Sequence, residues 1–135
     1  MKRNFRTIQL PLFIWTGTMI LFSSLPGSKL PELLSFWQWD KVAHCAEFFI
    51  FTVLLFRYFV LGRYKTPEQA LRLCLVIGLM YAALDELHQI LIPKRECSIY
   101  DFTADAAGVF AGAISAWQYY RKKFMHEKTV TALRG

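Results

Sequence analysis

Four apolar runs, roughly residues 8–25, 42–62, 73–92 and 102–120, leave this chain little choice of organisation. A hydrocarbon core of ~30 Å is crossed by about 20 helical residues rising ~1.5 Å each, and each run approaches that length. The breaks between them hold Pro26, Gly27 and Pro31, then Gly62 and Pro67, then Pro93, all places where helices stop. Composition agrees, since 55% of the 135 residues are hydrophobic, too many for an ordinary soluble domain of this size. The expected architecture is all-α: an integral-membrane four-helix bundle, up-down-up-down, forming one domain over residues 1–135. Nothing resembles a Ser/Gly-rich linker or an internal repeat that would divide it.

Basic residues set the expected orientation. Lys2, Arg3 and Arg6 precede the first run; Arg57, Arg63, Lys65 and Arg72 surround the second connection; Arg121, Lys122, Lys123, Lys128 and Arg134 follow the last. These are twelve of the sixteen Lys and Arg, and only Lys29, Lys41, Lys94 and Arg95 fall on the opposite side. Both termini are therefore expected in the cytoplasm, with the chain a multi-pass protein of the cell (inner) membrane. The first run follows basic MKRNFR but lacks a clean small-x-small cleavage site, so a retained helix is expected rather than a secretory signal. A net charge of +6 then reflects topology. The tail YYRKKFMHEK, aromatic and then basic, is what an inner membrane interface looks like, and no nucleic-acid partner is needed.

Cys45, Cys74 and Cys97 form no metal-type pair. Cys45 and Cys97 are both expected near the outer face, where a disulfide is conceivable, but free buried thiols are favoured.

Carboxylates show the reverse bias: Glu32, Asp40, Glu47, Asp85, Glu86, Glu96, Asp101 and Asp105 belong to the outer half, and only Glu68 and Glu127 to the inner. On helix two, Asp40, His44 and Glu47 follow spacings of four and three, which keep them on one face. On helix three, His88 and Gln89 stand one turn above Asp85; on helix four, Asp101, Asp105, Gly108 and Gly112 form a stripe. Helical rise places Glu47 and Asp85 at a shared depth, ~10 Å below the outer boundary, with His44, His88, Gln89 and Asp105 a turn above. An ionised carboxylate facing lipid costs about 2.5 to 3.5 kcal/mol even on the lenient insertion scale, so these side chains should face the bundle interior or a wet cavity. Such a level suits proton transfer, cation binding or a polar head group.

Plainer roles compete. Asp40 can cap helix two, Ser98 to Asp101 has capping-box spacing for helix four, and Gly108 with Gly112 suits close helix packing. Glu86 points about 100° away from Asp85 around the helix, so one of that pair can simply tie helices together. Asp85 with His88, and His44 with Glu47, crudely resemble the Glu-x-x-His ligand pattern of di-metal bundles. The residue orders are altered or reversed, and neither a metal nor any other cofactor is assigned.

Three segments, FSSLPG (22–27), DKVAHCAEF (40–48) and DELHQILIPKRECSIYDFTADAAGVFAG (85–112), resemble the VanZ-like family of small bacterial membrane proteins. The matching positions are Ser23, Ser24, Pro26, Gly27, Asp40, Lys41, His44, Glu47, Asp85, Glu86, Gln89, Pro93, Arg95, Ser98, Asp101, Asp105 and Gly108. The loop reads Pro93-Lys94-Arg95 where a Gly before the Arg is common, and Ala106 follows Asp105 where Asn is frequent. The resemblance implies a four-helix membrane protein and a link to low-level resistance against the glycopeptide teicoplanin, with no defined reaction.

Three functions follow. In the first, an outer-leaflet site binds a lipid head group or a lipid-tailed ligand and modulates the envelope. Arg95 and Lys41 contact phosphate, while Glu47, Asp85 and Asp105 take an ammonium or hydroxyls. Asp40, His44, Glu86, Gln89, Ser98 and Asp101 complete that candidate set. In the second, the protein is an enzyme acting on a lipid-linked substrate, with Asp85 or Glu47 as general base and His44 as proton partner; the nucleophile candidates Ser98 and Cys45 are weak. In the third, the polar cluster only locks the bundle or a homo-oligomer.

Overall fold

A computed structural model of the protein describes residues 5–26, 37–93 and 98–134. Among these residues there are four α-helices and no strand: α1 (Phe5–Ser23), α2 (Trp37–Arg57), α3 (Pro67–Gln89) and α4 (Ile99–Arg134). A π-helical turn, Tyr58–Gly62, prolongs α2. Gly27, Lys29, Pro31 and Glu32, together with Lys94, Arg95, Glu96 and Cys97, lie outside the described residues, as do Lys2 and Arg3.

The helices exist where the apolar runs predicted them, with different ends. Pro67 opens α3 instead of only separating it from α2. Thr66 Oγ1 accepts the Gln69 N–H at 3.2 Å and Gln69 Oε1 accepts the Thr66 N–H at 3.2 Å, a reciprocal capping box with Pro at the first helical position. At the other end, α3 tightens before Pro93, with the Leu91 N–H on His88 O and the Ile92 N–H on Gln89 O, both at 3.0 Å. With 36 residues, α4 extends ~54 Å, well past the expected stop near residue 120.

Neighbouring helices run in opposite directions. Ile8 near the start of α1 faces Gly62 at the end of the α2 extension, and Trp15 Nε1 donates to Glu47 O at 3.1 Å midway. The ends of α1 and α3 meet where Ser24 Oγ lies 3.1 Å from His88 Nε2. Helices α2 and α4 run parallel, with Phe56 stacked on Tyr120 at 5.7 Å, and they form the most extensive pairing of the bundle. Gly108 and Gly112 make that closeness feasible. A Cβ on Gly108 would collide with Cys45 O and lie 3.0 Å from Phe49 N, and one on Gly112 would sit 2.7 Å from Phe49 O.

The interior holds Phe48, Phe51, Leu55, Phe56, Cys74, Ala82, Val109 and Ala113, but also His44, Thr52, Glu86, Gln89, Asp101 and Asp105. The outward positions of α3 are Val76, Met80, Leu84 and Leu87, and those of α4 include Phe110 and Ile114. Toward its end α3 turns Glu86 and Gln89 inward and Leu84 and Leu87 outward, while its earlier buried positions are the small residues Ala70, Cys74, Gly78 and Ala82.

Among the described residues, two stretches, Phe5–Ser23 and Trp39–Gly62, are long and apolar enough to cross a membrane. Four were expected. Asp85, Glu86, His88 and Gln89 in α3, and Asp101 and Asp105 with the basic end of α4, dilute the apolar character of the other two. Cys45 and Cys74 are free thiols.

Candidate functional site

The polar residues gather where α2 and α4 begin and α3 ends. One turn below the start of α2, Lys41 places its ammonium between two carboxylates: Nζ lies 3.1 Å from Asp40 Oδ2 and pairs with Asp101 Oδ1. This uses the ammonium within the protein and crosslinks α2 to α4.

A turn deeper, His44 Nδ1 hydrogen-bonds Asp105 Oδ1 at 2.9 Å, and Nε2 on the other side of the ring faces Asp40 Oδ1 at 3.9 Å. The packing explains the contact: Gly108, three residues after Asp105, rides on the backbone of Cys45, next to His44. Asp105 has no exposed surface, and its Oδ2 has no hydrogen-bond partner.

From α3, Asp85 joins this pair. Its Oδ2 accepts from Gln89 Nε2 at 2.9 Å, an i,i+4 contact, and one donor atom each from His44, Asp85 and Asp105 lie within 4.8 Å of one another. Asp40, His44 and Asp101 meet the same criterion a turn above. Glu47 is half-buried and is an electrostatic neighbour of His44 and Tyr81.

Glu86 takes a different course from Asp85. It is buried, and Oε2 accepts the Ser98 N–H at 3.0 Å, while Ser98 Oγ accepts the Tyr100 N–H at 3.2 Å. The capping box expected within Ser98–Asp101 is thus split. Ser98 caps α4 as its type prefers, but the reciprocal acceptor is Glu86 from α3, because Asp101 is drawn to Lys41. His88, expected beside Gln89 at the polar level, turns to Ser24, just past the end of α1, and is exposed.

Sequence reasoning missed Tyr81, although residues 81, 85 and 89 share one face at intervals of four. Its hydroxyl is buried without a partner and has Asp85, Glu47 and Asp105 as electrostatic neighbours. The same ring lines an apolar groove with Thr16, Phe51, Ile77, Met80 and Leu84, between α1, α2 and α3.

The family model for VanZ/LLP1 matches residues 2–121. The chain belongs to the VanZ/LLP1 family. No curated protein and no solved structure matches it. The VanZ/LLP1 match takes in every member of the polar cluster and stops inside α4, before the last 13 residues of that helix.

Of the positions singled out in this VanZ/LLP1 chain, Asp40, Lys41, His44, Asp85, Gln89, Asp101 and Asp105 are brought together. Glu86 and Ser98 form the adjoining α3–α4 tie, Glu47 lies on the Tyr81 side, and Arg95 lies outside the described residues. Four carboxylates, Asp40, Asp85, Asp101 and Asp105, against one ammonium make the cluster acidic. It can hold a cation, receive hydroxyl or ammonium donors, or pass a proton between imidazole and carboxylate.

Proposed function

We propose that this VanZ/LLP1 protein is a four-span membrane protein, both termini cytoplasmic, whose acidic cluster in the outer half of the bundle binds the polar end of a lipid or lipid-tailed ligand. Through that ligand it modulates the cell envelope, including susceptibility to glycopeptides of the teicoplanin type, the association implied by the family resemblance.

The observation that carries the binding reading is the adjacency of two unlike features at Tyr81. Its ring belongs to an apolar groove among outward-facing side chains, and its unpartnered hydroxyl sits beside Asp85, Glu47 and Asp105. A tail in the groove would bring an ammonium or hydroxyl to the half-buried carboxylates Asp85 and Glu47. Lys41 is not assigned a ligand phosphate, since Asp40 and Asp101 hold it. Four spans are supported by the last turns of α3, where Leu84 and Leu87 face outward and Glu86 and Gln89 inward, as suits lipid outside and polar contacts inside.

Mass spectrometry of envelope lipids retained by wild type and by Asp85→Asn in matched nanodiscs tests this. The expected result is a lipid species enriched on wild type and depleted on the variant. Identical lipid profiles would reject the binding site.

A second reading, an enzyme acting on a lipid-linked substrate, draws on the His44–Asp105 hydrogen bond, which orients an imidazole as a proton-transfer partner requires. Asp85 or Glu47 is then the general base. A new lipid product that forms with wild type and not with Asp85→Asn would favour it; unmodified lipid on both counts against it.

A further inference from the structure

The two acidic triads that share His44 differ in one respect. Asp40 and Asp101 already have a cation, the Lys41 ammonium. Among the described residues, no Lys or Arg forms an ion pair with Asp85 or Asp105. An ionised carboxylate buried as Asp105 is costs several kcal/mol unless something neutralises it. Asp105 is wholly buried and still has one carboxylate oxygen, Oδ2, without a partner.

We propose that His44, Asp85 and Asp105 form a binding site for one divalent transition-metal ion. One imidazole nitrogen with two carboxylate oxygens is a donor set for ions of the Mn²⁺ to Zn²⁺ range, softer than Ca²⁺ prefers and harder than Cu⁺ prefers. Around a metal with bonds of about 2.1 Å, ligand atoms stand roughly 3.4 Å apart. The three donor atoms now lie within 4.8 Å of one another, so side-chain adjustments of about an ångström close the shell.

The surroundings are also those of a ligand set. With Nδ1 on the metal, His44 keeps Nε2 facing Asp40, the outer carboxylate that commonly orients a metal-bound imidazole, and Lys41 holds Asp40 in turn. Gln89 secures Asp85 through Oδ2 and leaves Oδ1 for the ion. Gly108 fixes the third ligand by holding the Asp105 turn of α4 against α2. With Nδ1 on the metal, the proton of a neutral His44 resides on Nε2, the nitrogen that faces Asp40. The site shares Asp85 with the proposed lipid contact, but its occupancy is measured without lipid, so the two readings fail separately.

The test uses the full chain in detergent, stripped with a chelator and dialysed against Mn²⁺ or Zn²⁺, with bound metal measured by atomic spectrometry. Wild type is expected to take up about one ion per chain, with nitrogen hyperfine coupling to Mn²⁺ from His44. Asp105→Asn is expected to abolish stoichiometric uptake. Gln89→Met, which alters only a positioning contact, should weaken affinity about 10- to 100-fold. Glu127→Gln, at the far end of α4, should bind as wild type. Because Asp105→Asn can impair folding, the wild-type hyperfine signal is decisive by itself. No stoichiometric ion on wild type, an ion without nitrogen coupling, or affinity unchanged in a folded Asp105→Asn would each overturn the site.

Discussion

Lys41 and Asp105 sit one helical turn apart in the bundle and meet opposite fates. Lys41 lies between Asp40 and Asp101, all three partly or largely shielded from solvent, so removing its charge leaves two carboxylates facing each other. Lys41→Met is expected to lower stability by about 1 to 3 kcal/mol, and Lys41→Arg by less, as thermal unfolding in detergent would register. A loss no larger for Met than for Arg would show that the ammonium does not hold α2 to α4. Asp105→Ala strands His44 without its acceptor, for an expected cost of about 1 to 3 kcal/mol in the same assay. Helical spacing made most of this level legible in the sequence: His44, Asp85, Gln89 and Asp105 converge as the i,i+3 and i,i+4 patterns required. Pairing was not legible. Whether Asp101 closes its own capping box or turns to Lys41 depends on the distance between α2 and α4, and spacing along one helix carries no information about that. The departure of His88 toward Ser24 has the same cause, since it depends on where α1 ends.

Distances between helices are set at the scale of elements, by small residues. At Gly108 an added methyl meets the backbone of Cys45 and Phe49, which no rotamer change relieves, whereas at Gly78 it meets only the Val109 side chain, 2.7 Å from Cγ1. Gly108→Ala is therefore expected to destabilise more than Gly78→Ala, by about 1 to 3 kcal/mol against less, and to part His44 from Asp105. Thermal unfolding measures the first effect, and the metal uptake described above would report the second. Equal costs at the two glycines would contradict the close α2–α4 approach. The stripe of Gly108 and Gly112 was visible in the sequence as a packing face, but its partner was not. Thr66 offers a separate check on helix starts: Thr66→Ala removes one half of the α3 capping box and should cost about 1 kcal/mol. The sequence placed the start of α3 six residues too late because its polar first turn, Glu68, Gln69 and Arg72, falls outside the apolar run that drew attention to it.

For the molecule as a whole, the arrangement of faces matters more than the apolar length of any one helix. Among the described residues, Phe5–Ser23 and Trp39–Gly62 alone pass on length and apolarity, yet α3 turns Val76, Met80, Leu84 and Leu87 outward and Glu86 and Gln89 inward. Polar side chains turned inward suit a helix with lipid outside, and they lower the mean apolarity of the helix that carries them. In the proposed orientation, the basic residues before α1, between α2 and α3 and along the end of α4 face the cytoplasm and the acidic cluster lies on the outer side. That orientation is the central proposal. It is tested most directly in a chain whose Cys45, Cys74 and Cys97 are replaced by Ala, with one cysteine restored as Tyr100→Cys or as Thr131→Cys. Both positions are exposed, at opposite ends of α4. A membrane-impermeant maleimide applied to intact cells should label Tyr100→Cys, and should label Thr131→Cys only after permeabilisation. Labelling of Thr131→Cys in intact cells, with Tyr100→Cys protected, would put the cluster on the cytoplasmic side and contradict the account.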